Sequence, residues 1–140
     1  MLVAVGSSKS NKSEKFEPEN WSDIEEAPVR TFSNYAVIFV DSNFYYFGGK
    51  DHGGTQLSSI LRLDAVSWAW SNLGQLNSAR SAHGVILLGN TFMVIGGKGT
   101  KSNEACHLNN VQFICEEKVS NLTNYYRPLL FLVNEQYGNC

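Results

Sequence analysis

The sequence predicts an all-β fold built from repeated four-stranded antiparallel meanders, and three observations carry that expectation. A segment recurs, each copy splits into two apolar runs around a polar turn, and each copy ends on paired glycines. Residues 33–50, Ser-Asn-Tyr-Ala-Val-Ile-Phe-Val-Asp-Ser-Asn-Phe-Tyr-Tyr-Phe-Gly-Gly-Lys, align without a gap on residues 81–98, Ser-Ala-His-Gly-Val-Ile-Leu-Leu-Gly-Asn-Thr-Phe-Met-Val-Ile-Gly-Gly-Lys; seven of the 18 positions are identical. A repeat of this kind marks a supersecondary unit that buries its faces against copies of itself.

The turns Asp41-Ser42-Asn43 and Gly89-Asn90 separate the two runs of each copy, which is a hairpin signature. The runs Val37 to Val40 and Val85 to Leu88 do not alternate with polar residues, so both are expected to be covered on two faces, as inside a stack of sheets. Gly48-Gly49 and Gly96-Gly97 then allow positive φ and close approach of neighbouring backbone.

An outer half follows in each unit. Ile60 to Leu63 reads as a third strand, Asp64-Ala65 as a turn, and Val66 to Trp70 as a fourth strand with Trp68 and Trp70 on one face. The next unit repeats this as Ala105 to Leu108, Asn109-Asn110 and Val111 to Cys115, with Phe113 at the place of Trp68 and Cys115 at that of Trp70.

The opening residues read as the rear of an earlier unit, with strands at Leu2 to Val5, Glu14 to Glu17 and Trp21 to Ile24, the last matching Trp70 to Leu73. Leu129 to Val133, the turn Asn134-Glu135-Gln136 and Tyr137 read as the start of a further one. The expected organisation is a rear half-unit over 1–24, full units over 33–72 and 81–116, and an opening strand over 127–140.

This ordered set resembles the kelch repeat: a glycine pair (Gly48-Gly49, Gly96-Gly97), an aromatic residue about 20 residues later (Trp21, Trp70), an arginine (Arg30, Arg80), and then Tyr35 or His83. The 48-residue displacement from Ser33 to Ser81 is close to the roughly 50 residues of that repeat. The resemblance covers nearly the whole chain and implies blades of a β-propeller in an incomplete ring of about three blade-equivalents. Gly6-Ser7 departs from the glycine pair, and Tyr126-Arg127-Pro128 departs from the arginine entry. Because both ends fall within a blade, the ring is expected to be completed by missing sequence, the preferred reading, or by other copies. The isolated chain is then expected to associate, because an end blade exposes apolar surface and an open strand edge.

Composition agrees with strands and narrows the functions. Twelve Gly, six Tyr, eight Phe and three Trp stand against two Met and three Pro. A net charge of −2 with eleven scattered Lys and Arg argues against a nucleic-acid surface. No apolar stretch approaches the roughly 18–20 residues of a membrane helix, so no membrane insertion is expected. Gly48 to Gly54 only superficially resembles a phosphate loop, because no helix follows it and no Lys-Ser or Lys-Thr is in register. Neither the cysteines nor the histidines have metal-ligand spacing, so no metal or cofactor is expected.

In a meander, alternate turns emerge on the same side. The connections Lys50 to Ser58 and Lys98 to Asn103 therefore share an end with the inter-blade connections Glu25 to Phe32 and Leu73 to Arg80. Long loops on a rigid scaffold concentrate binding residues, which selects Phe32, Lys50, Asp51, His52, Gln56, Lys98 and Lys101 as a partner-binding surface. The resemblance gives Arg30 and Arg80 a structural role, holding loop carbonyls near the glycine pairs. His83 and Tyr35 read as space-filling, since a general base would need a recurring partner.

Cys106 and Cys115 fall on adjacent strands. A turn centred on Asn110-Val111 sets them opposite at bridging distance, whereas one aligned on Asp64-Ala65 sets them a residue out of step. Cys140 is left over in either case. Glycosylation acceptor patterns occur at Asn11-Lys12-Ser13, Asn20-Trp21-Ser22 and Asn121-Leu122-Thr123. With a bridge, they favour an extracellular protein over a cytoplasmic one.

The function expected is a non-catalytic protein-interaction module whose partner the sequence does not name. The alternatives are part of a copper-radical oxidase-like enzyme, implied by the same resemblance, and a glycan-binding or structural segment. No matching set of tyrosines, histidines and a cysteine supports the copper alternative.

Overall fold

The computed structural model describes residues 2–7, 10–17, 20–28, 33–100 and 102–118. Among these, every regular element is a strand, and the strands form three antiparallel sheets that do not close into a ring. Sheet 1 comprises β1 (Leu2–Ser7), β2 (Ser10–Glu17) and β3 (Asn20–Ile24). Sheet 2 comprises β4 (Ala36–Val40), β5 (Asn43–Phe47), β6 (Ser59–Asp64) and β7 (Trp70–Gln75). Sheet 3 comprises β8 (Gly84–Leu88), β9 (Thr91–Ile95), β10 (Asn103–Leu108) and β11 (Phe113–Lys118). Each sheet is ordered as its strands occur in the chain, so sheets 2 and 3 are complete propeller blades and sheet 1 is a blade with three strands.

The sheets stack face to face, with β4 against β8 and β7 against β11. Between sheets 1 and 2, Ile24 and Ala27 meet Tyr46, Leu61, Leu63, Trp68 and Trp70. Between sheets 2 and 3, Tyr45, Phe47, Ile60 and Leu73 meet Phe92, Val94, Cys106 and Phe113. Four rings dominate this second seam: Tyr45, Phe47, Phe92 and Phe113 lie 5.1–5.8 Å apart in tilted and edge-on pairs. Such pairs contribute about 0.5–1.5 kcal/mol each beyond their buried area.

The inner hairpin of sheet 2 turns through Asp41 and Ser42, both at positive φ, which matches the twist of the flanking strands. Asn43 is paired with Val40 as the first residue of β5, so the turn is shorter by that residue than the sequence reading had it. The glycine pairs have matching conformations: φ is +55° and +108° at Gly48 and Gly49, and +68° and +98° at Gly96 and Gly97.

Three expectations need correction. The fourth strands begin later than Val66 and Val111, at Trp70 and Phe113. The Asp64 side chain accepts hydrogen bonds from the Val66 and Ser67 amides, and Asn109 accepts from those of Val111 and Gln112, so each folds its own turn at the strand end. Val66 and Val111 are thereby carried to exposed tips.

Second, Leu63 answers by register to Cys106 and not to Leu108, since Phe44 and Phe92 pair with them, while the fourth strands keep the expected match, with Trp70 opposite Leu63 and Cys115 opposite Cys106. Trp68 lies outside the strand at φ +60°, yet packs with Trp70 against the same apolar seam. Third, β4 is not covered on both faces: Val37 is 46% and Phe39 55% exposed, because sheet 1 has no inner strand opposite them among the described residues.

The four-residue turn 109–112 sets Cys106 directly opposite Cys115, with Cα atoms 4.0 Å apart, and the two sulfurs form a disulfide. The opening strand expected over 127–140, the pattern at Asn121 and Cys140 lie outside the described residues. Of the remaining acceptor asparagines, Asn20 is exposed at the start of β3.

A candidate interaction rim

The long connections of sheets 2 and 3 emerge at one end of the stack and are tied together through their backbones. Gly49 donates to the Arg80 carbonyl at 2.9 Å, Arg80 to the Leu57 carbonyl at 3.0 Å and Leu76 to the Ser58 carbonyl at 2.7 Å. Lys50 donates to the Ser33 carbonyl, while Ser81 and Lys98 exchange both backbone bonds. The β5–β6 loop, the inter-blade connection and the β9–β10 loop thus form one continuous rim. Loops pinned at this density hold their side chains in fixed relative positions, which lowers the ordering cost of binding.

The paired glycines permit this tightness. A Cβ on Gly48 would fall 2.9 Å from His83 Cε1, and one on Gly97 would fall 2.8 Å from both the Ser81 carbonyl oxygen and His83 Cβ. His83 lies wedged between the glycine pairs of two successive blades. Burial, with the Arg80 charge acting in the same direction, pushes its pKa down to about 4, so the imidazole is neutral at pH 7.

Arg80 is buried beneath the rim. Its guanidinium donates to the carbonyls of Ser102 (2.6 Å), Gly96 (3.2 Å) and Ser78 (3.4 Å), and to Glu104 Oε1 at 2.5 Å. Burial lowers the Arg80 pKa, an effect the Glu104 carboxylate opposes. Glu104 also accepts from the backbone amides of Asn77 (2.7 Å) and Ser78 (3.1 Å). The pair therefore joins the inter-blade connection to the third strand of sheet 3.

On the other seam Trp70 has a related task, donating from Nε1 to the Glu25 carbonyl at 2.8 Å. The sequence reading did not single out Glu104. By strand register it occupies the place of Leu61, since Leu61 pairs with Tyr46 and Glu104 with Val94, so a search for repeated residues passes over it.

The predicted rim residues are distributed as follows. His52 and Lys98 are exposed, while Lys50, Asp51 and Gln56 are half-buried. Asp51 closes its own loop, its carboxylate accepting from the Thr55 amide at 2.8 Å. Gln56 reaches the neighbouring loop and abuts Gly99, so residues of two blades meet there. Arg30, Phe32 and Lys101 lie outside the described residues. Trp21 is exposed on β3 and packs on Phe16, with centroids 5.3 Å apart.

Glu104, Cys106 and Cys115 bring a carboxylate oxygen and two sulfurs within 4.8 Å of one another. The sulfurs are joined, and the carboxylate already accepts from Arg80 and two amides, so this donor set suits a clasp better than a cation.

Among curated proteins, the chain is similar to Kelch-like protein 36 of Bos taurus, with 30% identity over 104 residues. The match takes in 69% of this chain and 17% of that protein's length. No protein-family model matches the chain. The similarity is compatible with kelch-type repeats, as is the meander seen in sheets 2 and 3.

Proposed function

We propose that this chain is a kelch-type propeller segment that serves as a non-catalytic protein-interaction module and engages its partner through the long-loop rim. The observation that carries this reading is the cross-linking of the rim: backbone bonds run from Lys50 through Gly49 and Arg80 to Ser81 and Lys98, fixing two blades' loops as one surface. The similarity to a Kelch-like protein supports it further. Lys50, Asp51, His52, Gln56 and Lys98 give this surface mixed charge, as suits a polar protein face. The Cys106–Cys115 disulfide favours an oxidising compartment, where such bonds persist.

The test is proximity labelling from the intact protein, comparing wild type with Lys50→Glu/Lys98→Glu and with a control at the opposite end, Val66→Ser. Partners depleted at least about tenfold by the rim pair and retained by the control are expected, a change of ~1.4 kcal/mol. Equal partner sets for all three proteins would refute the rim as the binding surface.

A further inference from the structure

The outermost strand of sheet 1 carries a modification pattern that the fold leaves open. Asn20-Trp21-Ser22 matches the acceptor for an N-linked glycan, an asparagine two residues before a hydroxyl with no proline between them. Such patterns also arise by chance, so the place of each in the fold decides whether it can carry a glycan. A bulky, hydrated group must project into solvent from a position whose packing it does not disturb.

Asn20 meets that requirement. It is the first residue of β3, which forms the outer edge of sheet 1 and is hydrogen-bonded to β2 alone. Every blade has this edge: β3 is the strand from which the chain crosses to the next sheet, as β7 is in the four-stranded sheet 2. Ile24 packs into the seam with sheet 2, so the alternation of β3 places Asn20 and Ser22 on the face turned toward that sheet. Lys15, the cross-strand partner of Ser22, sets its Nζ 5.0 Å from the centre of the Trp68 ring, so the two sheets meet there. Asn20 and Ser22 are exposed with sheet 2 in place. The other patterns differ: Asn11-Lys12-Ser13 falls in β2, the central strand of sheet 1, where Ser13 is buried, and Asn121 lies outside the described residues.

A second observation points to the compartment. The Cys106–Cys115 disulfide joins residues paired across β10 and β11. Such bonds form and persist in oxidising surroundings, among them the lumen of the endoplasmic reticulum, where N-linked glycans are added.

We propose that Asn20 bears an N-linked glycan, attached in the compartment in which the disulfide forms. The donor is an oligosaccharide carried on a lipid pyrophosphate. Its anomeric carbon forms a bond to the side-chain nitrogen of Asn20 as the bond to the pyrophosphate oxygen breaks. The lipid pyrophosphate leaves with that electron pair, the amide gives up one proton, and nothing is oxidised or reduced. Ser22 supplies the hydroxyl by which the acceptor is recognised.

The position also limits what the glycan covers. β3 runs from Asn20 to Ile24 and then enters the inter-blade connection at the rim end, so Asn20 lies about 13 Å from that end along the strand. A glycan there leaves the long loops open and shields the outer edge of β3 from pairing with another chain. Neither the pattern nor its exposure depends on what the rim binds.

The test resolves the site. Full-length protein from cultured animal cells is treated with peptide-N-glycosidase, which releases the glycan and converts the modified asparagine to aspartate, and the peptide spanning Asn20 is read by mass spectrometry before and after. A glycan on that peptide, replaced by the aspartate mark on treatment, is the expected result. Asn20→Gln and Ser22→Ala are each expected to abolish it, whereas Ser22→Thr, which keeps the hydroxyl, is expected to retain it. An unmodified Asn20 peptide, the same modification surviving Ser22→Ala, or a glycan confined to Asn11 or Asn121 would each overturn the proposal.

Discussion

Replacing Glu104 by Leu is the most informative single perturbation of the fold. The wild-type carboxylate is fully buried against an equally buried guanidinium, and it also receives the Asn77 and Ser78 amides. A leucine fits the site, since Leu61 fills the corresponding place in sheet 2, so the cost is electrostatic rather than steric. Removing one member of a buried ion pair costs about 3–5 kcal/mol because the other charge is left uncompensated. The stranded amides push toward the upper end of that range, against a total stability of about 5–15 kcal/mol for a domain.

Arg80→Met/Glu104→Leu removes both charges and is expected to recover at least half of the loss, because an apolar pair carries no desolvation penalty. The assay is urea unfolding followed by tryptophan fluorescence. It is a stringent one, since Trp21 is on sheet 1 and Trp68 and Trp70 line the seam between sheets 1 and 2, whereas the ion pair spans sheets 2 and 3. A loss below about 1 kcal/mol for Glu104→Leu, or a double variant as unstable as the sum of the singles, would refute the clasp as an energetic unit. The exposed Lys118–Glu116 pair provides the control, and its removal should leave the midpoint unchanged.

Other expectations can be checked on the same protein. His83 is neutral and buried with its pKa held at about 4, so between about pH 6.5 and 4 the unfolded chain binds a proton that the folded one does not. Stability should therefore fall by about 3 kcal/mol as pH drops through that window, a slope that His83→Tyr, copying Tyr35, should remove; urea midpoints at several pH values would test this. Gly97→Ala meets both a positive φ and the Ser81 carbonyl, and is expected to cost about 1–3 kcal/mol, whereas Gly89→Ala, with open space around it, should cost about 1 kcal/mol in paired melts. Removing the disulfide by Cys106→Ala/Cys115→Ala opens a nine-residue loop and should cost about 2–3 kcal/mol, while intact mass without reduction should show the wild-type pair two protons lighter.

The inner halves of the blades were legible because both copies keep the same residues for the same reason. Two glycines at positive φ sit where a Cβ would strike His83 or the Ser81 carbonyl, and that requirement recurs wherever loops cross. The outer turns were not legible by repetition. By register Leu63 answers to Cys106, 43 residues on, but Trp70 answers to Cys115, 45 residues on, so an ungapped comparison that fits the final strand shifts the third by two positions. A local signal was present, since Asp and Asn fold turns by accepting from amides two and three residues on. The exposure of β4 could not be read from Val37 to Val40 at all, because an apolar run states what a strand can bury and not which sheet lies opposite. Glu104 escaped for the converse reason: it is singular, and a repeat search discards what does not recur.

The same division bears on where specificity resides along the rim. Ser33 and Ser81, Lys50 and Lys98, and Tyr35 and His83 occupy matching places, and the first two sets supply the bonds that join each loop to the chain before it. Residues required for closure in every blade cannot by themselves distinguish one partner from another. The loops between them differ: Asp51-His52-Gly53-Gly54-Thr55-Gln56 forms a self-closed projection, whereas the next blade offers the shorter Gly99-Thr100-Lys101-Ser102. Gln56 spans from the first to the second by lying on Gly99, where any side chain would displace it. Exchanging the whole 51–56 loop for 99–102 should therefore leave the stack folded, because the bonds from Gly49 and Arg80 remain, while changing which partners the rim retains. If partner retention survives that exchange, recognition must instead lie in the repeated positions or away from the rim.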